Sequence, residues 1–426
     1  MSGRPREGVV RGLGTEGDGA VVLDGGAIVL VRGVLPGERV RIEEVGRGRV
    51  RRGRLLEIIE ASSSRVEPSC PYAAACGGCP LMHASARLQR ETKLDRVRRA
   101  LSGVAGDLSI ELDSPAALFR YRGRARLAWA NGAIGYRADA SRGVVDVARC
   151  AVLTPELDAA LGLVRERLGA RLAGAGEIRI GQASGRPTLA LETRDPQPAA
   201  LYATLADLVQ GGALAGVALL AGGATAAATF GAGHEETTDA DGRTLRVPLG
   251  GFGQAHAEHN RALAAAALDA AAPEGARVLE LYAGHGNFTL GLAARAAAVV
   301  AVERDAAAAA CLRFNLDAHG LEARVIADDS ARAVAAIPRG TIDVALLDPP
   351  RDGARDAVAP LVALAPARIA YVSCDPESLG RDGRMLVAGG YRLAHVRALD
   401  MFPQTSHVEV VARFERAGVA ARPSRR

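Results

Sequence analysis

Arg277-Val278-Leu279-Glu280-Leu281-Tyr282-Ala283-Gly284-His285-Gly286-Asn287-Phe288 reads as a strand, a glycine turn and the opening of a helix near Asn287. Glycines at such a turn let a ligand approach the backbone closely. The dinucleotide fingerprint Gly-x-Gly-x-x-Gly needs a third glycine where Thr289 stands, so that fingerprint fails. Working outward, elements alternate from 256 to the end. A helix over 256–271 precedes the quoted strand. Strand 299–302 ends on Glu303, strand 324–326 leads to Asp328-Asp329, and strand 342–347 ends on Asp348-Pro349-Pro350. Strand 368–372 ends on Ser373-Cys374, a helix follows, and strands 391–399 and 408–414 close the chain. Repeated strand–helix units predict a doubly wound parallel sheet that binds ligands outside the carboxyl ends of its strands. Acids at successive strand ends suit a ligand with ribose hydroxyls and no phosphates to cradle, which describes S-adenosylmethionine.

The remaining chain divides in two. Residues 7–58 show short alternating apolar stretches broken by Gly17-Asp18-Gly19, Gly25-Gly26 and Pro36-Gly37, which predicts a small β-barrel. A polar linker follows at 61–69. The stretch to about 250 is mixed: a cysteine-rich loop, a charged helix over 84–101, then strands and helices with Pro187, Pro196 and Pro198 marking loops. The domain limits expected are 1–60, 61–250 and 251–426.

At 426 residues, with 49% hydrophobic and 24% charged residues, the chain reads as globular. Alanine runs such as 306–310 are helix formers, not membrane spans. No apolar core follows Met1-Ser2-Gly3-Arg4, so no signal peptide is expected; a cytoplasmic location, no membrane and no obligate protein partner follow. The formal charge is only +5, but it is unevenly placed. Arg47, Arg49, Arg51, Arg52 and Arg54 form an acid-free run, and Arg120, Arg122, Arg124 and Arg126 alternate near Tyr121 and Trp129. Arginine matches phosphate with a bidentate fork and stacks on bases, so RNA is the expected partner.

The motifs after strands four and five set the chemistry. Amine methylation tends to use Asn or Asp, two prolines and an aromatic, but Arg351 stands in the aromatic position. Cys374 in Tyr371-Val372-Ser373-Cys374-Asp375-Pro376 opens onto the cleft, and the helix starting at Pro376 is expected to favour its thiolate. Sulfur added to C6 of uracil makes C5 nucleophilic enough to take a methyl group. The C5 proton must then leave, and His407 or Glu409 on the last strands could accept it.

These residues resemble the RNA uracil-C5 methyltransferases, in particular the branch that carries an iron–sulfur cluster and modifies ribosomal RNA. Leu35-Pro36-Gly37-Glu38 is similar to the family's TRAM barrel, an OB-like RNA-binding fold. Cys70, Cys76, Cys79 and Cys150 are similar to its 4Fe-4S ligands. Phe252-Gly253-Gln254, Leu347 to Arg351, Ser373 to Pro376, and Asp400-Met401-Phe402-Pro403 through His407-Val408-Glu409 complete the likeness. The resemblance implies an α/β class I methyltransferase domain behind the barrel and a central α+β iron–sulfur domain. It also implies Cys374 as nucleophile, Glu409 as base, and Gln254, Tyr282, Asn287, Glu303, Asp329 and Asp348 at the cofactor and uracil. Two departures are Ala255-His256 after Gln254, where Val-Asn is usual, and His285 in the glycine loop. Zinc is the competing occupant of four cysteines. Competing activities are transfer-RNA uridine methylation, cytosine-C5 methylation, which generally uses two cysteines while Cys311 lies inside a helix, and RNA binding without catalysis.

Overall fold

The computed structural model describes residues 4–45, 49–138 and 143–418. Arg47 lies outside the described residues. At the N-terminus, strands Arg6–Leu13, Gly19–Leu23, Ile28–Val31, Arg39–Val45 and Arg52–Glu60 close into a barrel. Closure leaves no strand edge unpaired. Alternate residues such as Val21, Val29, Val31, Val40 and Ile42 fill the interior. The turn at Leu35–Glu38 is fixed from within: the Glu38 carboxylate is buried, accepts the Leu35 N–H at 2.7 Å and pairs with Arg65 of the linker at 2.7 Å.

A second sheet has seven strands, ordered Ala228–Gly231, Gly216–Leu220, Arg186–Glu192, Ala175–Ala183, Ala125–Ala130, Ala133–Arg137, Val144–Asp146. Helices Pro155–Leu168 and Ala199–Gln210 bury Leu157, Leu161, Val164, Leu201 and Leu205 in its core.

The C-terminal sheet has eight strands, ordered Arg324–Ile326, Ala298–Val302, Arg277–Leu281, Val344–Leu347, Arg368–Ser373, Glu409–Arg416, Tyr391–Leu399, Glu111–Asp113. The first five run parallel and Glu409–Arg416 runs antiparallel to its neighbours. Central strands such as Val344–Leu347 are apolar throughout because helices cover both faces. The doubly wound sheet and the barrel are as the sequence reading expects. One boundary differs. Helix Ala86–Leu101 and strand Glu111–Asp113, assigned by sequence to the central domain, pack on the C-terminal sheet, with Val97, Leu101 and Ile110 in its core. The apolar face of that helix is too sparse in sequence to show its partner.

Among the described residues, no helix is long and apolar enough to cross a membrane.

Candidate active site

The site lies at the carboxyl ends of the parallel strands, and the sheet register assembles it. Ser373 pairs with Val410 across an antiparallel ladder, so one further step sets Cys374 opposite Glu409. Directly opposed side chains in such a ladder stand about 4.5–5.5 Å apart at Cβ. Leu347 pairs in parallel with Tyr371, which carries Asp348 to the same rim.

All three groups hold their protons more tightly than usual, burial being the first cause for each. Burial, then the neighbouring Asp348, pushes the Glu409 carboxyl up to about 8, and burial pushes Asp348 up to about 7. The Cys374 thiol is pushed up to about 12, by burial first and then by Glu409 and Asp348. The expectation that the helix after Pro376 favours the thiolate is therefore corrected for the free protein. The Asp375 side chain already caps that helix, accepting the Ser378 N–H at 3.0 Å, and its charge opposes a thiolate. Arg351, exposed beside the prolines, acts in the opposite sense on both Cys374 and Glu409.

His407 and Glu409 do not share a strand face. The strand begins at Glu409, and His407 sits in the turn before it, its ring edge-on to Phe402 with centroids 6.0 Å apart. Burial, then Arg351, holds His407 down to about 4.

The glycine turn behaves as its sequence requires. Tyr282 takes φ 60° and Gly286 φ 103°. A Cβ on Gly286 would stand 2.7 Å from Leu312, so no larger residue fits. Only a short helix, Thr289–Ala293, follows. Glu303, at the next strand end, accepts the N–H groups of Gly284 at 2.8 Å and Asp305 at 2.7 Å, which ties the turn to that strand. Asn287 exchanges amide hydrogen bonds of 2.9 and 3.0 Å with Asn260. Asp329 is exposed and caps helix Ser330–Ala335, while Asp328 pairs with Arg332 at 3.3 Å. Gln254 is half-buried in the loop before helix Ala257–Ala271. That loop abuts the second arginine segment, since Gly123 N–H donates to the Ala255 carbonyl at 2.7 Å.

Sequence reasoning passed over Glu280. It is fully buried, and burial pushes it up to about 8; the neighbouring Thr289 hydroxyl opposes the rise, while Asp348 and Glu303 add to it. His285 is also buried, its Nε2 unpartnered, and is held down to about 3. An acid enclosed by a strand looks like a sequence accident until its surroundings are known.

Cys70, Cys76, Cys79 and Cys150 line one cavity together with Tyr72, Tyr136 and Arg122. The fold brings the distant Cys150 to the other three. The Gly78 N–H donates to Cys76 Sγ at 3.4 Å, and burial, then Cys150, pushes Cys79 up to about 12. Among the described residues, no group of three or more His, Cys, Asp or Glu side chains is gathered to hold a single metal ion. Cys311 lies within helix Ala306–Ala318, away from any strand end, as its sequence position implies.

The arginine runs are less free than they read in sequence. Arg51 pairs with Glu44 and Arg54 with Glu43 of the adjacent strand, and Arg52 with Asp18 of the turn before Gly19–Leu23. Arg124 pairs with the buried Glu235, and Arg126 with Glu177. An acid-free run in sequence acquires its acids across the sheet.

The sheet order and the strand-end residues define a class I methyltransferase. A family model described as tRNA (Uracil-5-)-methyltransferase matches residues 235–417. The chain is 35% identical over 410 residues to a protein of Pectobacterium atrosepticum named 23S rRNA (uracil(1939)-C(5))-methyltransferase RlmD, covering 91% of this chain and 89% of that one. A protein of the same name from Alkalilimnicola ehrlichii is 36% identical over 445 residues, covering 97% of each chain. The fold matches the crystal structure of Pyrococcus abyssi tRNA (uracil-54, C5)-methyltransferase in complex with S-adenosyl-L-homocysteine, with TM-score 0.76, 24% identity, and 96% of this chain and 100% of that one covered. The chain belongs to the RNA (uracil-C5)-methyltransferase family, which uses S-adenosylmethionine.

Proposed function

We propose that the protein methylates C5 of a uridine in 23S ribosomal RNA, with Cys374 as nucleophile and Glu409 as base. The observation that carries this reading is the register placing Cys374 opposite Glu409 at the rim of the cofactor cleft. The ribosomal substrate rests on the relatives named for 23S rRNA. S-adenosylmethionine fits the strand-end carboxylates, with Glu303 at the end of its strand suited to the ribose hydroxyls. Gln254, Tyr282, Asn287, Asp329 and Asp348 would complete the pocket. Bound S-adenosylmethionine supplies an electrophilic methyl group. Phe252, 78% exposed beside Gln254, offers a stacking face to an unpaired base.

The residues act in sequence. Cys374 loses its proton to solvent and its thiolate sulfur adds to C6 of the uracil, leaving an enolate whose C5 takes the methyl group. Glu409, opposite the sulfur, then accepts the C5 proton as the carbon–sulfur bond breaks, restoring the thiolate and the aromatic ring. Glu409 must be ionised to do this. In the free protein burial, then Asp348, keeps its proton on up to about pH 8, so kcat/KM should rise about tenfold per unit below that pH. A kcat/KM measured from pH 6 to 9 with RNA well below its KM should show the rise, and a flat profile would remove Glu409 from the role.

Incubation of the protein with methyl-labelled S-adenosylmethionine and 23S rRNA tests the reaction class. Label on uracil C5 is expected; label on cytosine, or none, overturns it. Mapping 5-methyluridine in RNA from a strain lacking the gene should show one modification lost from 23S rRNA, whereas a loss confined to transfer RNA would reassign the substrate.

The four-cysteine cavity is proposed to hold a 4Fe-4S cluster. Four thiols line one cavity, with backbone N–H support at Cys76, the donor set such a cluster takes. A cluster is wider than one ion, so its thiolates need not converge on a single tetrahedral point. Protein purified without air should contain about four irons and as many labile sulfides per chain, and Cys79→Ser should lose both. Stoichiometric zinc instead would reassign the site.

A further inference from the structure

Helix Ala86–Leu101 reaches under both catalytic loops with three side chains of one face, Gln89, Lys93 and Arg96, at the i, i+4, i+7 spacing of a single stripe. Lys93 is fully buried; its Nζ donates to Asp400 Oδ1 at 2.5 Å and to the Phe402 carbonyl at 3.0 Å. Gln89 and Gln404 exchange hydrogen bonds, side chain to side chain at 3.0 Å and Gln404 N–H to Gln89 Oε1 at 2.9 Å. That grip holds Gln404 at φ 71°, a left-handed conformation that a non-glycine residue adopts only when its surroundings impose it. Arg96 spans the two loops. Its guanidinium donates to Asp375 Oδ1 at 2.8 Å, to Glu377 Oε2 at 2.6 Å and to the Ser406 carbonyl at 3.2 Å. Asp375 follows Cys374 directly, and Ser406 stands three residues before Glu409.

We propose that Arg96 is a positioning residue for methyl transfer, one guanidinium setting the sulfur of Cys374 against the carboxylate of Glu409. The sheet register aligns the two strands only as far as Ser373 and Val410. Cys374 is the first residue past its strand, while Glu409 stays in the sheet opposite Leu399, and Arg96 ties the loop after Cys374 to the segment that leads into Glu409. The same loop is tied to the cysteine-rich segment by the Leu81 N–H on the Gln404 carbonyl at 3.0 Å, and to the central domain by Tyr121 Oη on the Pro403 carbonyl at 3.0 Å. Arg96 touches no reacting atom; it acts through the loops.

This inference rests on the uracil-methylation reading, and the experiment separates the two. Wild-type protein, Arg96→Gln, Arg96→Lys and the exposed control Arg98→Gln are assayed with RNA carrying tritium at uracil C5, following tritium release, kcat, both KM values and Tm. Absence of release by the wild type overturns the reaction reading itself. With a competent wild type, Arg96→Gln should lower kcat about 10- to 100-fold, the scale of losing a near-attack alignment, with both KM values within about threefold. Arg96→Lys, which keeps one charge but not the fork, should fall between, and Arg98→Gln should match the wild type. A folded Arg96→Gln with wild-type kcat overturns the proposal. So does a parallel collapse of kcat, KM and Tm, or failure of both Arg96 variants to fold, since either makes Arg96 a support of the fold and not of the alignment.

Discussion

Cys374→Ala should abolish methyl transfer, lowering kcat by about 10⁴-fold or more while S-adenosylmethionine and RNA still bind. The size of the effect follows from the substrate. C5 of an intact uracil is a poor nucleophile, and no other described cysteine stands at a parallel strand end beside Asp348 and Glu409: Cys311 is in a helix, and the other four line a separate cavity. Serine at the same position should be nearly as inactive, because its oxygen is held by a still more tightly bound proton and faces the same two carboxylates. Single-turnover methyl transfer with equilibrium binding of both substrates checks it. Activity within about tenfold of wild type in Cys374→Ala would require direct attack by C5, contrary to the mechanism.

Glu409→Gln should separate the two halves of the reaction. Addition and methyl transfer need only the sulfur, whereas elimination needs a base, so a methylated covalent complex should accumulate. Turnover should fall about 10²- to 10⁴-fold, the usual worth of a general base. Above about pH 8, where Glu409 is ionised, the amide also removes a negative charge that opposes the thiolate, so there the adduct should form at least as fast as in the wild type. Denaturing gels of protein mixed with labelled RNA and S-adenosylmethionine report the complex directly. Fast turnover with no complex would transfer the role of base to another group.

The parallel sheet was legible because each of its strands is a short apolar run ending on a polar residue of evident use: Glu303, Asp348, Cys374. The barrel was legible from alternation and paired glycines. Contacts far apart in sequence were not. Lys93 and Asp400 are separated by 307 positions, and a lysine inside a charged helix reads as solvent-facing until its partner's carboxylate is seen. The same blindness assigned residues 86–113 to the wrong neighbour. It also overstated the free charge of Arg51, Arg52 and Arg54, whose acids sit on the adjacent strand or in a turn of the barrel, and it missed Glu280, whose burial is a property of packing alone. The thiolate expectation failed for a physical reason of the same kind: a helix dipole is local, but burial and two carboxylates act through space and outweigh it.

The most direct test is a covalent trap. Fluorine at C5 cannot leave as a proton, so RNA carrying 5-fluorouridine at the target should stop the reaction after methyl transfer, with the protein still bonded to C6. Digestion and mass spectrometry should then find the modified nucleotide, bearing one added methyl group, on the peptide containing Cys374, and no such complex with Cys374→Ser. A complex that survives that substitution, or that maps to any other cysteine, would contradict the account.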